Sequence, residues 1–226
     1  MKFTYYGHAC FGVEINGKHL LFDPFITYNE LAKEVNVNTI PADYIFISHG
    51  HQDHIADAVA IAQRTGALVV GSWEVIEWVS KQGVKNVHPM NTGGKKVFDF
   101  GWVKCTVAQH SSSFPDGSYA GNPMGFLVEA EGKSFYFAGD TALTLDMQLI
   151  PKWAQVQVAL LPIGDNFTMD YTDAAIAAEF VQCKKVIGLH YDTFGFIKID
   201  QKAAVEYFKA KGLELVLLPI AQSITI

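Results

Sequence analysis

Apolar and polar residues alternate along Lys2 to Tyr6, Phe11 to Ile15 and Lys18 to Phe22, and an unbroken apolar run covers Tyr44 to Ile47. Alternation with a period of two buries one face of an extended chain, so these segments predict strands. Further along, the spacing turns helical over Ile55 to Arg64, Trp73 to Lys81, Thr172 to Gln182 and Asp200 to Lys209. Ser72 is placed to cap the second of these helices and Gly83 lies just past its end. Thr172 is the expected cap of the Ala-rich third, and Ala203, Ala204, Tyr207 and Phe208 share one face of the fourth. Strands followed by interleaved helices predict mixed sheets covered by helices, an α/β (α+β) arrangement.

An internal echo divides the chain. Phe11 to Phe22 aligns without gaps to Phe126 to Phe137, with six of the twelve positions identical. Both stretches read as strand, Gly-Lys turn, strand, so shared turn chemistry and duplication explain the match equally well. No Pro- or Ser-rich linker separates the halves, and residues 1–226 are expected to form a single domain. The Gly93-Gly94 pair has neither a Walker lysine arrangement nor a dinucleotide fingerprint, and reads as a hairpin turn.

Composition narrows the classes. Half of the residues are apolar and 18% are charged, which excludes a disordered chain. Lys plus Arg number 17 against 23 for Asp plus Glu, a net charge of −6 that argues against holding DNA by charge. The N-terminal residues read as a strand, and no window reaches the roughly 18 apolar residues of a membrane span. Cys10, Cys105 and Cys183 are too few and too scattered for a disulfide framework. A soluble protein of a reducing cytoplasm is the expectation.

Candidate chemistry concentrates in Ser48-His49-Gly50-His51-Gln52-Asp53-His54, directly after the Tyr44 to Ile47 strand. Three of the chain's eight histidines fall here beside a carboxylate, a donor set suited to zinc and neighbouring transition metals. Gly50 is read as giving the ligand turn its flexibility. Further donors follow later strand-like runs: His110 after Trp102 to Ala108, Asp140 after Ser134 to Ala138, and His190 after Lys185 to Leu189. Seven donors exceed one tetrahedral site and suit two metals sharing a bridge. His8 and Asp23 also follow strands and are candidates to touch substrate or support the ligands. Ser111, Ser112 and Ser113 lack a nucleophile elbow and read as hydrogen-bonding loop residues, while Tyr191, Phe194 and Phe196 are candidates for core packing or an apolar wall.

In these positions the chain resembles the metallo-β-lactamase fold superfamily, whose H-x-H-x-D-H pattern and later His, Asp and His match His49, His51, Asp53, His54, His110, Asp140 and His190. It is similar in particular to small bacterial metal-dependent hydrolases, through Gly7-His8-Ala9, Phe22-Asp23-Pro24-Phe25, His110 to Ser113, Ala138 to Thr141, Pro162 to Gly164 and His190-Tyr191. The resemblance implies a four-layer αββα sandwich of two mixed sheets and outer helices. It also implies one metal on His49, His51 and His110, a second on Asp53, His54 and His190, and Asp140 as the bridge. Many members of the superfamily have Gly two residues after the last His of the motif, where this chain has Ala56. Related flavodiiron oxidoreductases carry Glu where His51 stands and append a flavin domain.

The expected protein is a dinuclear hydrolase using metal-activated hydroxide, with Asp53 and Asp140 as catalytic carboxylates. Zn(II) is the first choice of metal, with Mn(II), Fe(II) and Ni(II) as alternatives. A small anionic ester, phosphodiester or lactone, is the expected substrate, with neither DNA nor membrane as partner. The competing expectation is a metal-stabilised binding protein without efficient turnover, which a buried metal with no reachable pocket would favour.

Overall fold

The computed structural model describes residues 1–226. A first sheet is built from β1 (Lys2–Gly7), β2 (Cys10–Ile15), β3 (Lys18–Phe22), β4 (Tyr44–Phe46), β5 (Leu68–Gly71) and β6 (Val87–Pro89). A second contains β7 (Lys95–Phe98), β8 (Gly101–Val107), β9 (Met124–Ala130), β10 (Lys133–Phe137), β11 (Val156–Pro162), β12 (Lys185–Leu189) and β13 (Glu214–Val216). The last strand, β14 (Ser223–Thr225), returns to pair antiparallel with β1 and completes the first sheet. Each sheet therefore has seven strands, ordered β14-β1-β2-β3-β4-β5-β6 and β13-β12-β11-β10-β9-β8-β7.

The echo between the two halves is architectural. In the first sheet an antiparallel meander β1-β2-β3 leads into the parallel run β3-β4-β5-β6. In the second, β8-β9-β10 is the meander and β10-β11-β12-β13 the parallel run. The repeated hairpins β2-β3 and β9-β10 thus hold equivalent places in their sheets. Their registers leave two-residue loops, Asn16-Gly17 and Glu131-Gly132, with all four φ angles between +52° and +74°. Positive φ at both central positions is the turn whose twist matches a two-residue hairpin, and the glycines make it accessible.

The sheets face one another across an aromatic core. Phe11 and Phe22 stack at 4.6 Å within their hairpin, and Phe22 meets Phe126 and Phe137 of the second sheet edge-on at 6.1 and 5.7 Å. All four rings are fully buried, and each contributes roughly 1.5–3 kcal/mol by leaving water. On the outside of the first sheet lie α1 (Gln52–Ile55), α2 (Ala58–Thr65) and α3 (Trp73–Lys81), which bury Ile55, Ile61, Val75, Ile76 and Val79. On the second lie α4 (Tyr171–Val181), a 3-10 helix at Leu145–Lys152 and α5 (Gln201–Ala210). The small face of α4, Ala174, Ala175, Ala177 and Ala178, lets it lie close to that sheet. The layers are helix, sheet, sheet, helix, as expected. No helix is long and apolar enough to cross a membrane.

Local expectations fared unevenly. Trp73–Lys81 is helical between the stated limits, with Ser72 Oγ accepting from Val75 N, and Asp200 caps α5 through Ala203 N. The helix expected over Ile55 to Arg64 is instead broken, because Asp57 turns inward. Its carboxylate accepts hydrogen bonds from Ile26 N, Thr27 N and Thr27 Oγ1, and its own N–H donates to Pro24 O. Thr172 does not cap α4. Asp170 does, since a carboxylate two residues earlier reaches both Thr172 N and Asp173 N. Gly93-Gly94 forms a turn closed by Gly94 N to Asn91 O, but it precedes β7, and the β7-β8 hairpin itself reverses between Phe98 and Gly101.

Candidate metal centre

Strand direction gathers the candidates. Within their sheets β1, β3 and β4 run the same way, as do β8, β10, β11 and β12, because each antiparallel meander reverses the chain twice. Their carboxyl ends deliver His8, Asp23, the His49 to His54 segment, His110, Asp140 and His190 to one edge of the sandwich. Loops on rigid strand ends hold side chains at fixed separations, which a metal site requires.

Asp140 is the hub. Its Oδ2 lies 3.2 Å from His54 Nε2, 3.0 Å from His190 Nε2, 3.6 Å from His110 Nε2 and 4.0 Å from His49 Nε2. On one side of this oxygen, His49 Nε2 is 2.9 Å from His51 Nδ1, and His110 completes a group of three imidazoles. On the other, Asp53 Oδ2 is 3.8 Å from His54 Nε2 and 3.9 Å from His190 Nε2. All seven expected donors converge. Separations of 3–4 Å between neighbouring donor atoms are those of ligands on the edges of a coordination polyhedron with metal distances near 2 Å.

Protonation favours metal binding. Burial, followed by the neighbouring imidazoles, holds His49 well below the usual imidazole range, and burial also lowers His51 and His110, so this trio is neutral at pH 7. Burial raises the Asp140 carboxyl, but His190 and His54 outweigh it and hold the group well below the usual carboxylate range. Asp53 is depressed in the same way, burial being overcome by His54 and His8. His54 is the exception: burial pushes it down, yet Asp140, Asp53 and Asp23 together lift it well above its ordinary value. Three carboxylates around one imidazole leave negative charge that divalent cations would neutralise. Moreover, His54 Nε2 is buried without a properly directed hydrogen bond even though Asp140 lies 3.2 Å away, the arrangement of two groups that face a common ion rather than each other. The residues fit a metal centre.

A second set of side chains fixes the donors. Asp23 is fully buried; its Oδ1 accepts from Ser48 N at 2.7 Å and its Oδ2 from Ser48 Oγ at 2.6 Å, with His54 Nδ1 also 2.7 Å from Oδ2. Because Ser48 Oγ donates to Asp23, it accepts from His49 Nδ1–H at 2.9 Å. Both imidazoles then carry a proton on Nδ1 and turn Nε2 toward Asp140. With its own oxygens engaged in this way, Asp23 is placed to orient His54 directly and His49 through Ser48. His8 is buried too, and burial lowers it to about 4, so it is neutral. Its Nε2 lies 3.0 Å from Asp53 Oδ2 and its Nδ1 3.0 Å from Thr193 Oγ1. A neutral ring meets a carboxylate only through N–H, so Nε2 donates to Asp53 and is committed there. His8 therefore supports the carboxylate.

Gly50 does not supply flexibility, and its φ is unexceptional. It supplies space: a Cβ there would collide with the Cβ of Ala120 and come within 3.1 Å of the Phe114 ring. Ser112 holds the same turn by accepting from Gly50 N, as expected of a loop hydroxyl. Tyr191 is buried in the outer core of the second sheet, whereas Phe194 lines the cleft and Phe196 is exposed beside Phe167. Sequence reasoning gave no role to Ser48, Thr193 or Phe167. For Ser48 the available signal was its place between an apolar strand and His49, since pairing Phe22 with Phe46 sets Asp23 beside it.

A cleft of about 340 Å³ opens over the donors, with Asp53, Asp140, His51, His110 and His190 in its floor and Ser111, Phe167 and Phe194 in its walls. A larger depression of about 410 Å³ at Gln148, Lys152 and Glu179 contains no converging donors.

Fold and donors together define a metallo-β-lactamase-type protein. Residues 2–190 match the model of the beta-lactamase superfamily domain. The chain is 51% identical over 224 residues to a UPF0173 metal-dependent hydrolase of Flavobacterium johnsoniae and 53% identical over 225 residues to one of Christiangramia forsetii, covering 99% of this chain and of each relative. Among solved structures it is similar to Igni18, a metallo hydrolase of the archaeon Ignicoccus hospitalis, with a TM-score of 0.89, 33% identity, and coverage of 99% of this chain and 97% of that one. The chain belongs to the beta-lactamase superfamily, and within it to the UPF0173 family of metal-dependent hydrolases.

Proposed function

We propose that the protein hydrolyses a small ester, a phosphodiester or a lactone, at two divalent metal ions, one held by His49, His51 and His110, the other by Asp53, His54 and His190, with Asp140 shared. The observation that carries this reading is the single Asp140 oxygen lying 3.6 Å from His110 on one side and 3.2 and 3.0 Å from His54 and His190 on the other. One oxygen faced by both donor groups suits a bridge. Imidazole and carboxylate donors suit Zn(II) first and also accept Mn(II), Fe(II) or Ni(II). Divalent ions held there would acidify water and offset charge developing on a substrate oxygen.

The chain's own groups have separable tasks. Asp53 reaches the cleft and stays ionised, so it accepts a hydrogen bond from the attacking water and orients it. His8 fixes that carboxylate, and Thr193 fixes His8. Phe167 and Phe194 displace bulk water from one side of the cleft. An open cleft over the donors supports turnover over the binding-protein alternative. Three free cysteines suit a reducing, cytoplasmic setting, and the net charge of −6 suits a small-molecule partner in place of a nucleic acid.

The test is an assay of metal-replete protein against phosphodiesters and lactones, beside Asp140→Ala. Release of a phosphomonoester or of a hydroxy acid, abolished in the variant, supports the reading. Failure to turn over either class overturns it.

A further inference from the structure

Outside the metal donors, the cleft has an unusual lining. Its remaining residues are Ser111, Phe167 and Phe194, and no lysine or arginine borders it. Any charge on a substrate beyond the group facing the metals would meet the aromatic faces of Phe167 and Phe194. Phosphate oxygens and carboxylates are ordinarily held by Arg or Lys forks or helix N-termini. Buried without such partners, a second anionic group would lose its hydration with nothing in exchange.

The aromatic wall is built from two separate loops and is tied to the donors. Phe167 sits on the loop between β11 and α4, where Asp165 N donates to Met169 O and Met169 N to Thr141 O, the residue after Asp140. Asp165 and Asn166 take φ values of +63° and +54°, which hold the loop in the bend that lifts Phe167 out of the surface. Phe194 follows β12 and His190; its ring lies 5.2 Å from His8 and 6.3 Å from Phe25. Phe196 bridges the loops by meeting Phe167 edge-on at 6.2 Å. Phe167 and Phe194 are 50% and 37% exposed, so apolar surface remains for a ligand to cover.

We infer that the substrate is an uncharged carboxylic ester, a lactone with an apolar substituent that lies against Phe167 and Phe194, and that these two side chains set specificity. The inference rests on the hydrolase reading and narrows it. Water adds its oxygen to the carbonyl carbon, the bond from that carbon to the ring oxygen breaks, and the ring oxygen takes a proton. The product is a hydroxy acid, whose carboxyl group then ionises.

Metal-replete protein is assayed on γ-lactones with alkyl substituents of increasing length and on bis(p-nitrophenyl) phosphate. The corresponding lactams, which resist opening, are titrated calorimetrically to read binding without turnover. Lactone kcat/KM and lactam affinity should rise about threefold per methylene until the wall is covered. Phe167→Ala and Phe194→Ala should each flatten that rise and cost about tenfold with a hexyl chain. Phe167→Lys should move preference toward the phosphodiester. Preference for the phosphodiester by the unaltered protein, or lactam affinity independent of chain length, would overturn the inference and leave the hydrolase reading standing. Chain-dependent lactam binding with no turnover of any ester would overturn both the reading and the substrate inferred from it.

Discussion

The Asp23 carboxylate lies 2.7 Å from His54 Nδ1, and neither side chain has any solvent exposure. Through Ser48 the same carboxylate also orients His49, so one group behind the site sets the tautomer of a donor on each side of Asp140. Asp23→Asn is therefore expected to weaken both metal positions, by about 10–100-fold. Ser48→Ala should act mainly on the His49 side. Competitive metal titration with a chromogenic chelator, on variants shown by circular dichroism to be folded, separates the two; unchanged affinity in Asp23→Asn would contradict the assigned role.

His8 acts through Asp53. Removing its N–H leaves that carboxylate free to rotate, so His8→Ala should lower kcat about tenfold while the metal proposed for the His49, His51 and His110 group remains. KM should change less than kcat, because His8 does not line the cleft. Steady-state kinetics with metal analysis of the same preparation checks both; loss of all metal would make His8 a ligand.

How much of this was legible beforehand differs by level. The seven donors were readable because each follows an apolar strand, and strand ends of one direction share an edge. Roles behind the donors were not: that Asp23 serves both His54 and His49 depends on Ser48, which becomes its neighbour only once β3 and β4 pair. Phe167 stood in a polar loop with no periodicity to mark it, and its position follows from two positive φ angles before it. The break after Ile55 arises because Asp57 bonds to a loop some thirty residues earlier, which local helical spacing does not encode. Asp170 outcompeted Thr172 as a cap through its reach to two N–H groups, a difference in cap geometry between otherwise acceptable residues.

Gly50 is a packing requirement. Gly50→Ala should cost about 1–3 kcal/mol of stability, because the new methyl group meets Ala120 and Phe114 in a filled interior. Restoring the space with Ala120→Gly in the same chain should recover part of the loss, as coupled neighbours do. Urea denaturation of the two single variants and the double variant measures it; additive losses would place the strain elsewhere.

Cys10, Cys105 and Cys183 are buried, and burial pushes all three thiols up, Cys105 to about 12. Native protein should react negligibly with a thiol-disulfide reagent at pH 8, and unfolded protein should release three equivalents. Rapid reaction of the native protein would show that one of these core sites opens readily.

The central claim is that Asp140 joins two metal positions. Elemental analysis of metal-replete protein, His110→Ala, His190→Ala and Asp140→Ala, each confirmed folded, measures it directly. The expected stoichiometries are close to two ions in the parent chain, near one in each histidine variant, and well below one in Asp140→Ala. Retention of both ions by Asp140→Ala would contradict the account.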